Sequence, residues 1–138
     1  MPKSSSASAA LKEALSLDAA GQEQRAIPLY RMALARGLSK EDTHAALVCL
    51  GSSLRTVGKT RAAVATLQKA RRLFPGDTVV IMFLALAHYD AGQRDLVIRQ
   101  LGDMLLKEST QPRLAAYRRV LARKFHALRG ERRRDKQT

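Results

Sequence analysis

One cysteine, no tryptophan and few aromatic residues set the first limits on this 138-residue chain. Cys49 alone cannot close an intramolecular disulfide or build a cysteine-based zinc site, and nothing calls for an oxidising compartment. Aromatics make up 4% of the residues against 46% hydrophobic, so a core must be aliphatic and rich in alanine. Eight glycines and four prolines are too few for a loop-rich sandwich or a collagen-like chain. Long hydrophobic runs are missing too. The most apolar stretch, Thr78 to Tyr89, is bounded by Asp77 and Asp90 and falls far short of a membrane span. Lys12 and Glu13 interrupt what would be the apolar region of a secretion signal. The expectation is a soluble cytoplasmic protein with one small domain, since the length leaves no room for two full cores.

Acidic residues are also scarce. Lys and Arg number 25 against 12 Asp and Glu, a net charge of +13. That balance favours anionic partners, whether nucleic acid, acidic protein surfaces or anionic lipid, without choosing among them.

What the chain does have is helical spacing. From about residue 9 to Leu128 apolar residues recur with a helical period, and the alternation of a strand is absent. The β-branched cluster Val79-Val80-Ile81 follows Pro75-Gly76-Asp77, where Asp77 suits an N-cap, so it opens a helix. Ser39 with Asp42 resembles a capping box with Asp in place of Glu. Gly21, Gly58 and Gly92 each separate two apolar helical runs. These signals predict helices over 9–20 and 23–36, 41–57 and 60–73, 78–91 and 94–107, then a lone helix over 112–128. Pro28 falls inside the second helix and predicts a slight kink or a late start there. Residues 1–8, rich in Ser and Ala, read as a flexible lead-in, 9–128 as the domain, and 129–138 as a basic tail.

The helix pairs repeat. Gly58 to Gly92, Ala63 to Val97 and Leu67 to Leu101 are each 34 residues apart. Gly21 to Gly58, Ala26 to Ala63, Tyr30 to Leu67 and Ala33 to Ala70 are each 37 apart, one period with three residues inserted in the joint Gly37-Leu38-Ser39-Lys40. In the middle unit Leu47, Leu50-Gly51, Leu54, Gly58, Ala63, Leu67, Ala70 and Pro75 stand in order. Gly51, Ala63 and Ala70 are small where two helices cross closely, and the leucines fill the space between units.

This pattern resembles the tetratricopeptide repeat (TPR), and a longer stretch, AIPLYRMALARGLSKED with LGSSLRTVG and FLALAHYDAG, is similar to a small bacterial group of TPR proteins of unassigned activity. The third unit is looser, with His88 and Val97 in place of the usual aromatic and alanine, and Glu13 in the first unit occupies a normally apolar position. The resemblance implies an all-α fold: three helix-turn-helix units and a C-terminal capping helix, wound into a short right-handed superhelix (an α-solenoid).

It also implies that the first helix of each unit lines a concave groove. The residues that fall there are Ser8, Leu11, Leu15, Asp18 and Ala19 from unit one, Ala45, Val48, Ser52, Arg55 and Thr56 from unit two, and Val79, Met82, Leu86, Tyr89 and Asp90 from unit three. TPR proteins that hold acidic chaperone tails use a Lys/Asn/Arg clamp, which is missing: Leu11, Val48 and Met82 stand where Lys would be. An apolar groove suits an apolar partner such as an amphipathic helix. The chain's own helix 112–128 or a second copy of the protein would also fill it.

A second candidate surface is the basic end. Ten basic residues against two acidic ones between Arg113 and Thr138 supply eight of the thirteen net positive charges. Arg118, Arg119, Arg123, Arg132, Arg133 and Arg134 would make a phosphate- or acid-binding face. A solvated cap with a frayed tail explains the same charges, and no RNA-stacking aromatics or DNA-binding motif accompany them.

No catalytic constellation emerges. His44, His88 and His126 lack metal-ligand spacing, and His88 occupies a core position of its repeat. Cys49 reads as a small buried residue rather than a nucleophile. Gly58-Lys59-Thr60 resembles the end of a P-loop, but Ser53 stands where its first glycine belongs. The reading is a non-enzymatic adaptor without metal or cofactor, binding a protein or peptide through its groove; the alternative is a basic accessory protein that binds nucleic acid or ribonucleoprotein through the C-terminal helix and tail.

Overall fold

The computed structural model describes residues 2–128, which form helices α1 (Pro2–Ala19), α2 (Glu23–Arg36), α3 (Lys40–Thr56), α4 (Thr60–Leu73), α5 (Thr78–Asp90), α6 (Arg94–Glu108) and α7 (Arg118–Ala127), with a 3-10 turn at Pro112–Ala116 before the last. No strand occurs among the described residues. Helices pair as α1 with α2, α3 with α4 and α5 with α6, and each pair stacks on the next, with α1, α3 and α5 neighbouring one another in a second row. This is the helical-repeat solenoid expected from the 34-residue register.

Local chemistry sets the boundaries. Ser39 accepts a hydrogen bond from the Asp42 amide at 3.1 Å, and the Asp77 carboxylate accepts from the Val80 amide at 3.0 Å, so both expected N-caps form. Gly21, Gly58 and Gly92 turn each pair with φ of +73°, +83° and +78°, a left-handed conformation that a β-carbon disfavours.

Three boundary expectations need correction. Residues 1–8 are not an irregular lead-in over their described part: α1 begins at Pro2, Ala7 is fully buried, and Ser6 accepts a hydrogen bond from the Arg36 guanidinium. Serine and alanine cost a helix little, and α2 gives this turn something to pack on. Pro28 does not delay α2, which starts five residues earlier at Glu23. The single helix expected over 112–128 is broken at Tyr117, whose amide bonds back three residues to the Leu114 carbonyl at 3.0 Å in 3-10 fashion. The tail at 129–138, including Arg132, Arg133 and Arg134, lies outside the described residues.

The core is aliphatic and alanine-lined, with Tyr30 its one fully buried aromatic among the described residues. Close helix crossings explain the small residues. A β-carbon added at Gly51 would stand 2.5 Å from Cγ of Leu67, a distance that forces displacement. The same holds at Gly102, where a β-carbon would meet the Phe125 ring at 2.5 Å. That contact seats α7 on α6.

Polar links tie the units together. The Asp18 carboxylate accepts from the Tyr30 hydroxyl at 2.8 Å and the Ser53 hydroxyl at 3.0 Å, joining α1, α2 and α3. Between units two and three, Arg55 Nε lies 2.6 Å from Asp90 Oδ2, and His44 Nε2 lies 3.0 Å from Asp77 Oδ2 with its ring edge-on to Phe74.

Candidate functional site

The groove residues expected from the sequence divide into two sets. Leu11 and Val48 are 5% and 6% exposed and belong to the core, so they correct the expectation that they line an open groove. Each shares a core cluster with residues of the following unit, Leu11 with Ala46 and Leu50, and Val48 with Val80. Ser52 and Arg55 are half-buried, and Arg55 is engaged by Asp90. Leu15, Met82, Leu86 and Tyr89 are open to solvent.

Three of these converge. Met82, Leu86 and Tyr89 lie one helical turn apart along α5 and, with Ala85, Val97, Leu101 and Arg55, line a cavity of about 410 Å³. Its walls are almost entirely apolar. Val97 and Leu101 come from α6, so the site sits where the two helices of unit three splay open. Sequence reasoning placed the α5 residues here and missed the α6 residues, although the repeat register links Leu101 to the buried Leu67.

The rim carries positive charge. The Arg94 guanidinium lies 5.6 Å from the centroid of the Tyr89 ring, a cation–π arrangement that holds a cation at the mouth of the cavity. Arg55 lines it from unit two.

The basic end is less assembled. Arg118 is half-buried and donates from Nη2 to the Ser109 carbonyl at 3.3 Å, which closes the C-terminus of α6. Arg119 and Arg123 are exposed. A smaller cleft of about 220 Å³ on unit three brings Arg71, Arg99 and Lys107 together, but Asp103 and Glu108 line it as well.

The chemistry of the titratable groups is structural. Burial pushes the Tyr30 hydroxyl far up, and its hydrogen bond to Asp18 adds to this. Burial likewise pushes the Cys49 thiol up, away from the thiolate a nucleophile needs. His88 is buried and its Nδ1 lies 3.2 Å from Gln100 Oε1. Among the described residues no group of His, Cys, Asp or Glu is arranged to hold a metal ion. No described helix is long and apolar enough to cross a membrane.

A family model described as tetratrico peptide repeat matches residues 7–131. No curated protein matches the chain.

Proposed function

From the premise that this chain belongs to the tetratricopeptide-repeat family, whose repeats form a non-catalytic scaffold and generally mediate protein–protein interaction, we propose that it is an adaptor that docks a protein partner on its concave face. The observation that carries this reading is the convergence of exposed Met82, Leu86 and Tyr89 on one apolar cavity. Burying one such side chain contributes about 1.5–3 kcal/mol, so a few suffice for a specific complex. The surrounding positive charge speeds encounter with an acidic partner more than it holds the complex. The adaptor has no reaction to perform, and its place of action is the cytoplasm.

Site-specific photocrosslinking tests this. A photoreactive amino acid at position 86 or 89, in cells and after nuclease treatment, is expected to yield a discrete protein adduct. The same group at 119 or 123 is expected to yield none. Adducts only from 119 and 123, lost with nuclease, would replace the adaptor with a nucleic-acid binder.

A further inference from the structure

The repeat register compares each face of unit three with its counterpart in the units before it. Leu11, Val48 and Met82 are equivalent positions, as are Tyr30, Leu67 and Leu101. In units one and two they are buried: Leu11 and Val48 are 5% and 6% exposed and share core clusters with residues of the next unit, and Tyr30 and Leu67 are fully buried. In unit three the same positions lie open, Met82 at 52% and Leu101 at 37%. The face that meets the next unit in units one and two is therefore left open on unit three among the described residues.

The C-terminal helix does not occupy it. α7 packs over Gly102 and the buried Leu106 on α6. Their unit-two equivalents are Gln68 and Arg72, both exposed. α7 thus covers the outer flank, and no described residue takes on unit three the seat that α5 takes on unit two.

A second copy of this chain is a poor occupant. Its leading helix is α1, where the position equivalent to buried Leu50 and Leu84 is Glu13. Stacking α1 here would bury a carboxylate against Met82 and Leu101, and each copy carries a net charge of +13. What the seat accepts is seen in the units themselves. Leu47, Leu50 and Leu54 of α3 lie in core clusters that include residues of unit one, and Leu84 and Ala87 of α5 lie in one that includes residues of unit two, while its terminal Asp90 meets Arg55. Over unit three that cation is supplied by Arg94, on Tyr89.

We propose that the open end of unit three, floored by Met82, Leu86 and Leu101, is the docking site for a helix of another protein, which lies as α5 lies on unit two, with apolar residues at i, i+3 and i+7 and acidic residues beside them. This rests on the adaptor reading and narrows it to one seat.

The probes are two synthetic helices of about 17 residues, the length of α3, with the same leucine stripe and either Glu or Lys on the polar face. The full chain is titrated with each while the Met82 methyl signal is followed by NMR. The Glu helix should bind saturably and shift Met82, and the Lys helix should bind about tenfold more weakly. Met82→Glu and Leu101→Glu should abolish binding with the helical circular dichroism unchanged, and Met82→Gln should weaken it should the charged variants misfold. Arg94→Glu should erase the preference for Glu. Failure of both helices to bind, or binding that is undiminished in a folded Met82 variant, overturns the proposal. So does a wild-type dimer that Met82→Gln converts to monomer, which would give the seat to a second copy. If these fail while crosslinks from position 86 still capture a protein, the adaptor reading stands and only the acidic helix falls as the occupant of the seat.

Discussion

Phe125 packs against the bare backbone of Gly102, so close that a single added methyl would stand 2.5 Å from its ring. The contact is the principal anchor of α7, which has no fully buried residue of its own. Gly102→Val should therefore detach α7 before it unfolds the array. Hydrogen exchange should accelerate across Arg118–Ala127 while α1 to α4 keep their protection. Uniform acceleration through the whole chain would show that α7 is integral to the core.

Overpacking the internal crossings has a larger reach. Ala63 is fully buried, and Gly51 already touches Leu67 at the limit of contact. Ala63→Leu or Gly51→Val should cost about 1–3 kcal/mol in urea denaturation. A wild-type midpoint for Ala63→Leu would contradict the register of α3 against α4.

Asp77 makes part of the stability depend on pH. The Val80 amide is the main cause that lowers its pKa, with His44 adding to it and partial burial opposing. A carboxylate depressed in the folded state contributes stability above its unfolded pKa of about 3.9, and that contribution is lost as pH falls through the folded value. Asp77→Ala should cost about 1 kcal/mol at neutral pH, the usual worth of an N-cap. The difference from wild type should shrink as the pH drops below about 4. A difference that stays constant down to pH about 2 would mean the cap is not ionic.

Removing the Tyr30 hydroxyl leaves Asp18 with one fewer buried donor. Tyr30→Phe should destabilise by about 1.5–3 kcal/mol, because the lost hydrogen bond was to a charged group. Asp18→Ala should cost at least as much, since it strands both the Tyr30 and Ser53 hydroxyls. Near-wild-type melting of Asp18→Ala would show that water replaces the carboxylate without loss.

Cys49 should resist alkylation. Its thiol is half-buried and its pKa is raised by burial, so iodoacetamide at neutral pH should label it slowly in the native chain and quickly in urea. Fast labelling of the native protein would overturn the structural role assigned to it.

Much of this architecture is legible in the residues because the repeat states each feature more than once. The turn glycines, the alanines at crossings and the caps at Ser39 and Asp77 follow from the register and from local hydrogen-bonding chemistry. What escapes is what occurs once. Gly102 has Gln68 and Arg31 as its equivalents, both surface residues, so nothing in the pattern marks it as a close approach. Leu11 and Val48 fall on groove-lining helices, but only the three-dimensional arrangement shows that they are buried. The α6 half of the cavity, Val97 and Leu101, carries the same ambiguity in reverse: core by register, open by position. The break at Tyr117 is hidden because Leu114, Val120 and Leu121 continue a helical spacing that the backbone does not follow.

The two junctions of the array are built from different materials. Units one and two share a partly buried carboxylate held by two hydroxyls, whereas units two and three are joined by polar links with substantially exposed partners, the ion pair of Arg55 with Asp90 and the hydrogen bond of His44 with Asp77. Salt weakens the second kind and largely spares the first. In a chain of nearest-neighbour couplings, unequal joints mean unequal cooperativity. High ionic strength should therefore act as a selective solvent for the second joint, letting the last unit breathe as a separate block while the first two still melt as one.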